Sequence, residues 1–241
     1  MSPSESDDHP LRLSAQHYQA NRLDLLSRLA GDISHEIKNP LHAMVINLEL
    51  VRRKIEKGES PQALERVAIV EDEIRKVHSL ANALLEALRP PRDAQDTSSF
   101  STVLQELMPL VTARARLARV DLELKAESLA LIVPLSAQDL RLLLLNIADR
   151  TVRVAQSGDA ISMRAWATAD DGMFEVECAE PPLDATERAW LADSPAAAEE
   201  IELGLRVMRA LAERAGGRVQ IGDSAEGRPT LTLRLPRAGS A

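Results

Sequence analysis

The residues of this chain best suited to chemistry cluster around His35. Glu36 follows it directly, Asn39 stands four positions on and His42 seven positions on. On a helix turning ~100° per residue, Asn39 and His42 fall within about 40° of His35, so the three share one face. An imidazole nitrogen is both nucleophile and proton carrier, and to meet a reacting group on a second protein it must stand exposed on a rigid element. His42 and His78 are assigned surface or packing roles.

Two helical patterns supply that rigid element. Leu26, Leu29, Ile33, Ile37, Leu41, Met44, Leu48, Val51 and Ile55 recur at intervals of three or four, within a pattern running from about Leu13 to Lys57. Val67, Val70, Ile74, Val77, Ala81, Leu84 and Leu88 do the same after a turn at Gly58–Pro61, where Ser60 is expected to cap the second helix and Pro61 to fill its first turn. Both are apolar stripes of coiled-coil type, and His35 lies roughly 176° from the first stripe, facing solvent. One hairpin leaves much of each stripe wet, so the pattern predicts a homodimer in which two hairpins form a four-helix bundle.

Arg89–Ser99, with two prolines among polar residues, reads as a linker. Beyond it, helical patterns at 101–118, 136–156 and about 197–215 alternate with strand-like runs, VDLELKA, LALIV, AISMRAWAT, MFEVECA, RVQIGD and TLTLRLP. The expected fold class is therefore α+β, a helical hairpin followed by a two-layer α/β sandwich. The expected organisation is a tail at 1–12, the hairpin at 13–90, a linker at 91–99 and the second domain at 100–237.

Composition narrows the partners. The chain has 241 residues and a formal net charge of −8, without the basic footprint of a duplex-DNA binder. Aromatics are only 2%, too few for the stacking platforms that hold single strands. No apolar run approaches the ~18 residues of a membrane span, so no membrane or nucleic-acid partner is expected and the location is expected to be cytoplasmic. A lone cysteine, Cys178, excludes an internal disulfide and a paired-cysteine zinc site, and no metal-ligating set is assigned. Cys178 reads as a strand residue.

The string Ser34-His35-Glu36-Ile37-Lys38-Asn39-Pro40-Leu41, preceded by Leu29-Ala30-Gly31-Asp32-Ile33, resembles the H-box of two-component sensor histidine kinases. The resemblance extends unevenly over about Leu25 to Pro236 and implies a dimerisation and histidine-phosphotransfer domain followed by an ATP-binding domain. It makes His35 the phosphoacceptor, Glu36 its general base or tautomer holder, and Asn39 the residue that orients water for dephosphorylating a partner. The partners implied are a response-regulator receiver domain and, as an alternative donor in trans, a competent histidine kinase.

In the second domain the family pattern breaks. The resemblance requires an Asn that ligates magnesium, an Asp in a DxGxG loop and a glycine-rich segment near the phosphates. Asn146 matches a structural Asn, which places Arg150 at the magnesium-ligating position; sliding the register by four would make Asn146 the ligand. Cys178 stands where the adenine-reading Asp belongs, and Glu180 and Pro182 replace glycines. The last box keeps only Gly204-Leu205, and Glu200 and Glu202 put carboxylates where phosphates approach. No cofactor site is assigned beyond the remnant positions Asn146 and Gly204.

The function expected is a phosphotransfer protein that carries a phosphoryl group on His35 and exchanges it with receiver aspartates. One alternative is an ATP-dependent kinase that phosphorylates its own His35 and uses Mg-ATP. The other is a receiver phosphatase or pseudokinase scaffold.

Overall fold

In the computed structural model the described residues are 13–89, 97–126, 131–192 and 200–239. The expected tail at 1–12 and residues 91–96 of the expected linker lie outside them, while Ser98–Ser99 at the end of that linker form a short strand. Helix α1 (Ala15–Glu56) and helix α2 (Ser60–Leu88) form an antiparallel hairpin. Pro40 sits inside α1, which continues on both sides of it. The expected cap at Ser60 is corrected: Glu59 is the capping residue and Ser60 is already helical, so Pro61 falls in the first turn, where its missing N–H leaves nothing unpaired.

After α2 come β1 (Ser98–Ser99), α3 (Phe100–Leu117), β2 (Asp121–Ala126), β3 (Ile132–Val133), α4 (Ala137–Val154), β4 (Ala160–Ala167), β5 (Asp171–Glu177), α5 (Ala185–Leu191), α6 (Leu203–Arg214), β6 (Arg218–Asp223) and β7 (Pro229–Pro236). Five strands form one sheet in the order β2-β4-β5-β7-β6, in which only the β2–β4 pair is parallel. Of the expected strand LALIV, Leu129 and Ala130 lie outside the described residues, and Ile132–Val133 form β3, which pairs with β1 instead of joining the main sheet. Burial alternates along β5, with Gly172, Phe174 and Val176 inward, and Leu231 and Leu233 of β7 join that apolar face, as the strand period of two requires. Helices α3, α4 and α6 bury their apolar sides against it. Gly216 (φ 71°) closes α6, and the Gly217 N–H donates to the Ala212 carbonyl at 2.8 Å in a glycine C-cap. A Cβ on Gly217 would lie 2.2 Å from the Arg234 carbonyl, so the chain needs glycine there.

Helix α5 falls within a stretch expected to be a loop. Asp184 accepts from the Glu187 N–H at 2.8 Å and Glu187 accepts from the Asp184 N–H at 3.1 Å, a capping box that starts a helix within a Pro- and Ala-rich segment.

The apolar stripe of α1 changes partner along its length. Leu25, Leu26, Leu29 and Ile33 are buried in one continuous core with residues of α3, α4, α6 and the sheet. From Leu41 onward the stripe is open: Leu41 is 47% exposed, Leu48 54% and Ile55 62%. The first half of α1 is thus a structural member of the α/β unit, and the second half presents an unpaired apolar seam.

Candidate functional site

His35 lies just past the point where α1 leaves the shared core, and its side chain is exposed, as are those of Asn39 and His42. Glu36, the next residue, is turned inward. It is 4% exposed and takes a 2.9 Å ion pair from Arg116 in the last turn of α3. Glu36 and Asn39 line one open cavity of about 580 Å³, walled by Lys76 and Leu80 of α2 and by Met108, Thr112 and Arg116 of α3. The structure therefore brings two of the three residues singled out around His35 to one cavity, with the imidazole on the adjoining exposed strip of the same helix. Arg116 was not foreseen: nothing in the run Arg114-Ala115-Arg116 indicates which helix it will face.

A chain of charges holds α3 and α4 against α1. Asp149 of α4, 3% exposed, meets Arg28 of α1 at 3.2 Å and Arg114 of α3 at 2.9 Å. Arg114 also pairs with Asp32, one turn before Glu36 on α1. Higher up, Asn21 and Asn146 face each other as reciprocal carboxamides: Asn21 donates to Asn146 Oδ1 at 3.0 Å and Asn146 donates back at 2.8 Å. Asn146 donates as well to the Leu142 carbonyl at 2.8 Å. Both amides are buried, as buried polar groups must be paired to persist.

These contacts decide what became of the expected nucleotide region. Asn146 turns toward α1, and Gly204 packs beneath the amide pair; a Cβ there would lie 2.8 Å from Asn146 Oδ1. Neither remnant position faces an open site. Arg150 donates to the Pro182 carbonyl at 2.7 Å and pairs with both Glu187 and Glu202. One guanidinium thus ties α4, the loop after β5, the start of α5 and the entry to α6 together.

The expectation that Glu202 would repel phosphates is corrected. Arg153 joins Arg150 on the Glu202 carboxylate at 2.7 Å, so the charge is neutralised internally. Burial disfavours its charged form, but the hydrogen bonds and positive charges of Arg153 and Arg150 outweigh that and hold it below the ordinary carboxylate range. Cys178 is buried at the end of β5, and burial pushes its thiol up to about 12. A thiol held neutral in the core fits a strand residue.

Residues 25–90 match the family described as the His Kinase A (phospho-acceptor) domain. The chain is 24% identical over 166 residues to sporulation kinase D of Bacillus subtilis, covering 68% of this chain and 32% of that protein. It is 25% identical over 221 residues to the sensor histidine kinase ZraS of Escherichia coli, covering 89% of this chain and 46% of that one. Among solved structures, the catalytic domain of the histidine kinase ThkA aligns over 58% of this chain and 95% of its own, with a TM-score of 0.50 and 16% identity. That likeness shows the fold alone. The chain spans between a quarter and a half of the length of the curated relatives it matches. Among the described residues, no helix is long and apolar enough to cross a membrane.

Proposed function

For a chain that belongs to the two-component sensor histidine kinase family, with a phospho-acceptor domain at residues 25–90, we propose that it works as a phosphoryl carrier. His35 takes the group from one receiver-domain aspartate and hands it to another. The imidazole nitrogen attacks phosphorus, an N–P bond forms as the P–O bond to the aspartyl group breaks, and the carboxylate leaves with the electron pair. Glu36 receives or orients the imidazole N–H, and Asn39 places water when the group is instead lost to hydrolysis. The hairpin acts as a homodimer, because Leu41, Leu48 and Ile55 along its seam stay about half exposed or more among the described residues of one protomer.

The single observation carrying this reading is the arrangement of Arg150. In the register that matches Asn146 to the family's structural Asn, the guanidinium clamped by Glu187 and Glu202 stands where the family pattern requires a magnesium ligand. A fixed cation paired in this way can neither coordinate magnesium nor yield to a triphosphate without leaving the buried Glu187 carboxylate uncompensated. The second reading is an ATP-dependent sensor kinase that phosphorylates its own His35. The matched relatives favour it, since they are themselves sensor and sporulation kinases.

Calorimetric titration of Mg-ATP into the folded protein separates the two. No heat of binding supports a protein donor for His35. Saturable binding at micromolar to low-millimolar ATP overturns the carrier reading and puts the kinase first.

A further inference from the structure

Arg116 belongs to the α/β unit, yet its only described ion-pair partner is the H-box acid. Its side chain is 67% exposed while the Glu36 carboxylate it holds is 4% exposed, so the guanidinium comes in from the cavity mouth and caps a buried acid. Two rungs clamp the last turn of α3 to α1. Arg114 takes Asp32, and Arg116 takes Glu36. Asp32 and Glu36 are four residues apart, one helical turn, and His35 lies between them in the chain. Arg114 is anchored from behind by Asp149, so α3 cannot slide along α1 without breaking a buried charge contact. The wall that carries Arg116 also carries Thr112 and Met108 into the cavity shared with Asn39.

We propose that Arg116 is a positioning residue of the phosphoacceptor site: the docked second domain supplies a guanidinium that fixes the carboxylate of Glu36, the residue that follows His35 in the chain. This rests on the reading of His35 as phosphoacceptor. It gives the second domain a part in phosphoryl transfer that needs no nucleotide. A glutamate on an exposed helix face samples several rotamers, whereas one ion-paired at 2.9 Å against a neighbouring helix keeps one. Orientation of this kind is what an acid or base contributes beyond its mere presence. The second domain therefore cannot be removed or swung aside without loosening the acid that serves the imidazole.

The test uses the full chain and potassium phosphoramidate, a small donor that needs no partner protein. The imidazole attacks phosphorus, the P–N bond breaks, ammonia leaves, and the imidazole N–H proton passes to Glu36 or solvent. Phosphohistidine formed at His35 is followed by phosphorus NMR and assigned by peptide mass, with the chain's other four histidines, His9, His17, His42 and His78, as internal competitors. If wild-type His35 is labelled no faster than those four, the phosphoacceptor reading fails, whatever Arg116 does.

If it is labelled selectively, Arg116→Ala is expected to slow His35 labelling by about tenfold, a fraction of the ~10²–10⁴-fold that a positioned acid or base contributes. Arg116→Lys recovers most of that rate. In a Glu36→Gln background, Arg116→Ala produces no further slowing, because the arginine acts through the carboxylate. Thermal melts of each variant establish that the fold is intact, and Arg116→Lys, which keeps a cation on the buried Glu36 carboxylate, separates lost positioning from lost fold. An unchanged rate in Arg116→Ala overturns the proposal. So does an equal slowing by Arg116→Ala with and without Glu36, since a merely structural arginine, or one acting directly on phosphate, gives that result.

Discussion

The reciprocal amide pair between Asn21 and Asn146 offers a quantitative check on whether the kinase-like remnant has become a structural joint. Replacing Asn146 by Leu keeps the volume but removes both hydrogen bonds, at 3.0 Å and 2.8 Å, and leaves the Asn21 carboxamide at 2% exposure with its donor and acceptor unpaired. An unsatisfied buried polar group costs about 1–3 kcal/mol. With partial relief by entering water, the single variant should lose about 2–3 kcal/mol of unfolding free energy. At ~2–4 °C per kcal/mol for a chain of this size, Tm should fall by about 4–12 °C. Replacing both partners removes the stranded group, so Asn21→Leu/Asn146→Leu should recover most of the loss and end within about 1 kcal/mol of wild type.

The assay is urea unfolding followed by circular dichroism, at one fixed protein concentration because dimerisation shifts apparent stability. A double variant as unstable as the sum of the two singles would refute the reasoning, since additivity means the amides do not depend on one another. So would an Asn146→Leu protein as stable as wild type.

Other outcomes follow from the same contacts. Glu202 is held below the ordinary glutamate value of about 4.3, so its stabilising contribution is complete above that value and is lost as pH falls through the lower folded one. Glu202→Gln should therefore be less stable than wild type at neutral pH, and urea melts should show the gap closing as pH is lowered below the ordinary glutamate value. With its thiol at about 12, Cys178 at pH 8 is thiolate to only about one part in ten thousand. Labelling by a disulfide reagent should be at least about 10³-fold slower in the native protein than after denaturation, and rapid native labelling would contradict its burial. Leu48→Glu/Ile74→Glu places charges on the open seam, where the native residues are 54% and 52% exposed. Sedimentation should show the wild-type dimer reduced to monomer, and an unaltered dimer would place the interface elsewhere.

Much of the fold was written in local signals. The hairpin is legible because its apolar period and its Gly58–Pro61 turn are properties of neighbouring residues, and the α4, β4 and β5 segments because burial follows their own periodicity. Helix α5 was missed although Asp184 and Glu187 carry a legible capping box, because the surrounding prolines and alanines argued for a loop. Strand β3 pairs with β1 rather than with the main sheet, since a run of apolar residues does not say which partner strand it will find.

The site divides along the same line. That His35, Glu36 and Asn39 stand on one helix, with His35 exposed, is a matter of spacing and helical geometry. That Arg150 and Cys178 are residue types unsuited to hold magnesium or to read an adenine amine is a matter of their own chemistry, while their match to those family positions is what the resemblance implies. What only the tertiary structure decided is where the side chains turned. Asn146 bonds to Asn21, 125 positions away. Arg150 closes on Glu187 and Glu202 and Arg153 joins it on Glu202, which draws one of the two expected repulsive carboxylates into an internal ion-pair network. Arg116 reaches Glu36 across 80 positions. Each pairing joins side chains with no shared local pattern, and its energy exists only once the shared core has brought α1 against the second domain and excluded water from the join.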